Sequence, residues 1–209
     1  MSERLPLWQV FFPSVRALAL FLLPVRLEGR EHLPLGGYLL VSNHMSWIDP
    51  PWIEFVIERP IRFMAKRELF RIPVLGWMLR ECGVFPIERH SADRRAIARA
   101  LAFLASGEVV GIFPEGHRSR TGGLIRAHPG VAFLARRSGA AIVPVGISGS
   151  RGARLGKFWR RDVTIRFGEP FSAAELNAAD EQAVADAIMR RIAALLSRPQ
   201  RGVYGEGSS

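Results

Sequence analysis

A histidine and an aspartate five positions apart, His44 and Asp49, are the residues of this chain best suited to move a proton. They lie in Ser42-Asn43-His44-Met45-Ser46-Trp47-Ile48-Asp49-Pro50-Pro51, directly after the apolar run Tyr38-Leu39-Leu40-Val41. On an ideal helix that spacing sets two side chains about 140° apart, so they share no face. They can meet only across a tight turn. A carboxylate bonded to one imidazole nitrogen leaves the other basic, which suits removal of a proton from an alcohol. Asp49 before Pro50 also reads as a helix N-cap followed by a favoured first-turn proline. The competing reading makes Asp49 only a cap and His44 an incidental loop residue.

Other polar groups gather after apolar runs in the same way: Lys66 after Ile61-Arg62-Phe63-Met64-Ala65, Glu88 and Arg89 after Gly83–Ile87, and Glu115, Arg118 and Arg120 after Val109–Phe113. In layered α/β sheets, ligand sites gather at strand ends. A base beside several cations suits deprotonation of a hydroxyl on a phosphorylated molecule. Arginine offers phosphate a two-pronged donor, which favours Arg89 and Arg118.

The elements that must position these groups alternate along the chain. Strands are expected at 25–29, 37–42, 61–65, 83–87, 108–113, 141–147 and 162–167, the last with the polar alternation of a sheet edge. Helices are expected at 49–58, at 92–105 capped by Ser91, at 130–138 stopped by Gly139, and at 180–196. Residues 67–81 read as two short helical pieces broken at Pro73 and Gly76, more apolar than one core face requires. The alternation predicts an α/β fold, a single layered domain over 25–198 with a mixed, largely parallel sheet flanked by helices. Residues 199–209 read as a disordered tail.

Residues 5–25 are the most hydrophobic part, interrupted by Gln9, Pro13, Ser14 and Arg16. No clean run of about 18–20 apolar residues exists for a spanning helix, and no small-residue cleavage site follows as in a signal peptide. Trp8, Phe11 and Phe12 with flanking arginines predict a membrane-interface helix over residues 1–24. A core-packed helix and a true span are the alternatives.

The 209 residues, 48% hydrophobic, suffice for one folded domain and argue against disorder. The single cysteine, Cys82, excludes an internal disulfide and reads as a small buried apolar residue. The net charge of +10 calls for a polyanionic partner: a nucleic acid, an anionic lipid surface or a phosphorylated substrate. The arginines are spread through the chain without a nucleic-acid-binding motif, which argues against the first. No metal-ligand spacing is present, and Gly146-Ile147-Ser148-Gly149-Ser150 falls one residue short of a hydrolase elbow.

Four stretches, in order, resemble the motifs of the lysophosphatidate acyltransferase (glycerolipid acyltransferase) family. Asn43, His44, Ser46 and Asp49 match Asn-His-x-Ser-x-x-Asp, and Gly83-Val84-Phe85-Pro86-Ile87-Glu88-Arg89 matches an apolar strand ending in arginine. Phe113-Pro114-Glu115-Gly116-His117-Arg118-Ser119 matches Phe-Pro-Glu-Gly-Thr-Arg-Ser, and Ile142-Val143-Pro144-Val145-Gly146-Ile147 matches a Val-Pro-Val strand. Ala65–Phe70 and Arg166–Pro170 are similar to the family as well.

The resemblance implies that His44, oriented by Asp49, deprotonates the acceptor hydroxyl, which attacks an acyl thioester with no covalent acyl-enzyme. It implies that Arg89 and Arg118 hold the acceptor phosphate, that Glu115 and Gly116 shape the glycerol site, and that Asn43, Ser46, Lys66 and Ser119 belong to the substrate-binding set. Backbone amides near the His44 turn would receive the oxyanion. The implied acceptor is lysophosphatidate, with glycerol 3-phosphate, another lysophospholipid or a lyso-amino-acid lipid as alternatives. The implied donor is acyl-CoA or acyl-carrier protein, as co-substrate and not as a cofactor. The implied location is peripheral or monotopic on an anionic membrane surface, at the cytoplasmic face of a bacterial inner membrane. A catalytically silent membrane-binding module is the competing class. His117 stands where the family usually has threonine and His128-Pro129 where lysine is common, which bears on the acceptor head group.

Overall fold

The structure, a computed structural model, describes residues 6–22, 25–88, 93–151 and 163–205. Among the described residues seven strands form one sheet: β1 (Val25–Glu28), β2 (Leu39–Ser42), β3 (Ile61–Lys66), β4 (Phe85–Ile87), β5 (Val109–Ile112), β6 (Ile142–Ser148) and β7 (Val163–Phe167), in the order β1-β7-β6-β2-β5-β3-β4. Every pairing is parallel except β6 with β7. The expected mixed, largely parallel sheet is therefore present.

Both faces of the sheet are covered, which is why its central strands read as continuous apolar runs and not as alternation. Leu39 and Val41 of β2 face one core, against α4 (Arg94–Ala105), α5 (Gly130–Ser138) and α6 (Glu181–Ala194). Tyr38 and Leu40 face the other, with Ile61, Phe63, Val143, Val145 and Ile165, against α2 (Asp49–Ile57). The first helix, α1 (Pro6–Leu22), leans on α2: the Arg16 guanidinium donates to the Phe55 carbonyl and to Glu58, both at 2.7 Å. Val15, Leu18 and Phe21 point outward and are exposed.

Several local expectations are corrected. β7 is not an edge strand: β1 pairs along its outer side, and its polar residue Arg166 is ion-paired across to Glu28 at 2.6 Å. Gly76 does not break a helix. It lies inside α3 (Pro73–Glu81), after a 3-10 turn at Arg67–Arg71, and a Cβ there would sit 2.4 Å from the Phe70 carbonyl oxygen. The glycine admits a close backbone approach. The cap of α4 is Asp93, which accepts from the Ala96 amide at 3.0 Å; Ser91 lies outside the described residues. Residues 198–204, expected to lie largely in a disordered tail, form two 3-10 turns packed on the domain. Cys82 is half-buried, and burial with the Glu54 and Glu81 charges pushes its thiol up to about 11.

Parallel pairing sets the direction of the site. β2, β5, β3 and β4 run the same way, so the loops after Ser42, Ile112, Lys66 and Ile87 all leave one edge of the sheet.

Candidate active site

The turn after β2 brings His44 onto Asp49 as the spacing requires. His44 Nδ1 lies 3.1 Å from Asp49 Oδ2, and the same oxygen accepts the backbone N–H groups of Met45 at 2.7 Å and Ser46 at 2.6 Å. Asp49 is fully buried, and its Oδ1 has no hydrogen-bond partner among the described residues. The carboxylate does not cap α2 as expected. Asp49 is the first residue of that helix, and it closes the preceding turn through the upstream amides. A carboxylate on Nδ1–H fixes the tautomer whose free nitrogen, Nε2, is basic; Nε2 has no partner among the described residues.

The imidazole is held from below. Its ring stacks on Phe113 with centroids 4.1 Å apart, and Phe113 stacks on Phe63 at 5.5 Å. Gly111 makes room for that column, because a Cβ there would lie 2.3 Å from the Phe63 ring. Sequence reasoning missed Phe113; its place as the last apolar residue before Pro114 was the available signal.

The remaining motif residues fix backbone around this pair. Asn43 is 1% exposed and bonds both groups of Ile147: Nδ2 donates to the carbonyl at 2.9 Å and Oδ1 accepts the amide at 2.7 Å. It thereby extends the β2–β6 pairing beyond Ser42. Glu115 is equally buried, with Oε2 accepting the His44 amide at 3.2 Å and Oε1 the Ile125 amide at 3.4 Å. Ser46 is buried in the turn. The Ser119 amide donates to the His44 carbonyl at 2.8 Å, and its hydroxyl donates to Gly123 O at 2.6 Å while accepting the Gly122 amide at 3.1 Å. Gly116 has a φ of 69° and lies under His128, whose Cδ2 would be 2.7 Å from a Cβ.

These positions narrow the set of turn amides open to an oxyanion. The His44 amide is committed to Glu115, and those of Met45 and Ser46 to Asp49. The expected cations are placed less closely. Arg118 is exposed and has no ion-pair partner among the described residues, whereas Lys66 is half-exposed and pairs with Glu68 at 3.4 Å. Arg67 pairs with Glu88. Arg89 lies outside the described residues.

Burial pushes the Glu115 carboxyl up to about 7, with the nearby Asp49 charge acting the same way and the two amide bonds opposing it. The folded state therefore holds a proton that the unfolded chain releases above its ordinary value of 4.5. Stability contributed by that proton is full below 4.5 and is lost as pH rises through about 7, on the order of 3 kcal/mol in all. Thermal melts should show this decline between those pH values. Glu115→Gln should flatten it, and an unchanged slope would remove Glu115 as its source.

The family model described as Acyltransferase matches residues 24–148. A 1-acyl-sn-glycerol-3-phosphate acyltransferase of Streptococcus pneumoniae is 30% identical over 150 residues, covering 71% of this chain and 55% of that one. A lyso-ornithine lipid O-acyltransferase of Pseudomonas aeruginosa is 33% identical over 149 residues, again 71% and 55%. The chain thus spans about half the length of these curated relatives. In fold it is similar to the crystal structure of the 1-acyl-sn-glycerophosphate acyltransferase of Thermotoga maritima, with a TM-score of 0.69 and 23% identity over 93% of this chain and 83% of that one. Because the family match covers more than half of the chain and includes the His44–Asp49 turn and the Glu115 loop, the chain belongs to the acyltransferase family.

Proposed function

We propose that the chain transfers a fatty acyl group from an acyl thioester to the free 2-hydroxyl of lysophosphatidate, giving phosphatidate for phospholipid synthesis. The observation that carries this reading is the His44 Nδ1–Asp49 contact of 3.1 Å with Nε2 left unpartnered among the described residues. Nε2 takes the hydroxyl proton as the alcohol oxygen attacks the thioester carbonyl. The tetrahedral intermediate then expels the thiolate, which recovers the proton from the imidazolium. Acyl-CoA or acyl-carrier protein supplies the thioester as co-substrate, and no cofactor enters. Arg118, exposed and without an ion-pair partner among the described residues, is suited to the acceptor phosphate, with Lys66 as a further cation on the same sheet edge; Arg89, outside the described residues, joins them on the strength of the motif alone.

The name of the Pseudomonas relative favours a second acceptor, a lyso-ornithine lipid. Mass spectrometry of products from lysophosphatidate, glycerol 3-phosphate and lyso-ornithine lipid, each offered with acyl-CoA and with acyl-carrier protein, decides between them. Equal use of a phosphate-free acceptor would reject the phosphate site, and no acylated product from any pair would reject acyl transfer.

The protein works at the cytoplasmic face of a bacterial inner membrane as a peripheral or monotopic enzyme. No described helix is long and apolar enough to cross a membrane. The outward side chains Val15, Leu18 and Phe21 of α1, and Val74, Trp77 and Met78 of α3 beside Arg71 and Arg80, suit an anionic lipid surface. Deleting residues 1–24 should weaken flotation with anionic vesicles; undiminished flotation would assign the contact to α3 instead.

A further inference from the structure

We propose that the C-terminal segment Arg198–Tyr204 is a brace that positions the loop carrying Glu115, Gly116 and Arg118, so that affinity for the acceptor depends on it. This rests on the acyl-transfer reading given above. Residues 119–128 contain neither helix nor strand, yet Leu124 and Ala127 are buried, 2% and 4% exposed. A buried irregular backbone must find partners for its N–H and C=O groups outside regular structure.

The tail and α6 supply them. The Leu124 amide donates to Gln200 O at 2.9 Å, and its carbonyl accepts the Val203 amide at 3.1 Å. The Ala127 amide donates to the Tyr204 hydroxyl at 3.0 Å, and its carbonyl accepts Gln182 Nε2 at 3.2 Å. Tyr204 Oη in turn donates to Asp186 Oδ1 at 2.8 Å, an oxygen that also accepts from Gln182 at 3.0 Å. The fit is close enough to demand glycine: Gly202 has a φ of 50°, and a Cβ there would lie 2.0 Å from Leu124 O.

The other side of the same stretch bears on the candidate site. The Ile125 amide holds Glu115, which holds the His44 amide, and the His128 amide donates to Pro114 O at 2.9 Å, setting the imidazole over Gly116. Gln200 Nε2 also reaches Met45 Sδ, at 3.9 Å, in the turn between His44 and Asp49. The loop is thus clamped between the tail and the His44 turn. No described tail residue touches His44 Nε2, so the segment acts by positioning.

Two substitutions in the full chain test this. Tyr204→Phe keeps the ring and removes the hydroxyl that serves Ala127 and Asp186. Gly202→Ala removes no side chain and forces the tail off Leu124. Each should raise the KM for lysophosphatidate by about three- to tenfold, the size of effect expected from loosening one or two hydrogen bonds, with the thioester KM unchanged. Amide exchange should quicken at Leu124, Ile125, Ala127 and His44. An unchanged acceptor KM in both variants overturns the proposal, even if their melting temperatures fall. If the unaltered chain transfers no acyl group, the acyl-transfer reading fails, and exchange decides the brace: faster exchange at Ile125 and His44 supports it, and unchanged exchange overturns it.

Discussion

His44→Ala is expected to lose acyl transfer by about three orders of magnitude or more while the protein stays folded. General base catalysis alone accounts for about a hundred- to ten-thousand-fold, and a base acting as a unit with its partner accounts for more. The fold should survive because the turn is built by groups the substitution spares. Asp49 keeps the Met45 and Ser46 amides, Glu115 keeps the residue 44 amide, and the residue 44 carbonyl keeps Ser119. The side chain leaves only its contact with Asp49 and its stack on Phe113. Release of free thiol from acyl-CoA in the presence of lysophosphatidate measures the loss, and near-native turnover would remove His44 as the base.

That separation of backbone and side-chain roles explains what the sequence could disclose. The β2 strand, its loop and the pairing of His44 with Asp49 follow from an apolar run, a turn and a spacing that no helix face accommodates. Buried parallel strands announce themselves as apolar runs, so the central strands and the layered fold were legible too. The partners of the other motif residues were not. Asn43 finds Ile147 and Tyr204 finds Ala127 across 104 and 77 positions, a matter of which strands and turns become neighbours in space. Local patterns carry no record of that.

Local chemistry also misled where a residue had a second use. Glycine at 76 and a polar residue at 166 look like a helix break and a sheet edge. The first instead admits the Phe70 carbonyl, and the second answers Glu28 on β1, a pairing between strands far apart in sequence. Glu115 is the same case within the site. A carboxylate in a polar loop reads as a ligand for substrate, but its two oxygens hold the backbones of His44 and Ile125. Glu115 thereby acts on the placement of His44, the proposed base.

Asp49→Asn separates the charge of that base's partner from its scaffold. With the amide oxygen in the place of Oδ2, the Met45 and Ser46 amides and the His44 ring keep their acceptor, and the –NH2 takes the place of Oδ1, which has no partner among the described residues. The turn should hold at the cost of one buried unpaired donor, about 1–3 kcal/mol. The imidazolium that forms when His44 accepts the hydroxyl proton then loses its counter-charge, and the tautomer with Nε2 free is less strongly enforced. Turnover should fall by about a thousandfold with the acceptor KM little changed. Asp49→Ala should be worse in stability than in the chemical step, since it strands two buried amides as well. A single-turnover measurement beside a thermal melt distinguishes the two. If Asp49→Asn keeps its chemical rate, the carboxylate serves only to close the turn, and His44 needs no charged partner to act.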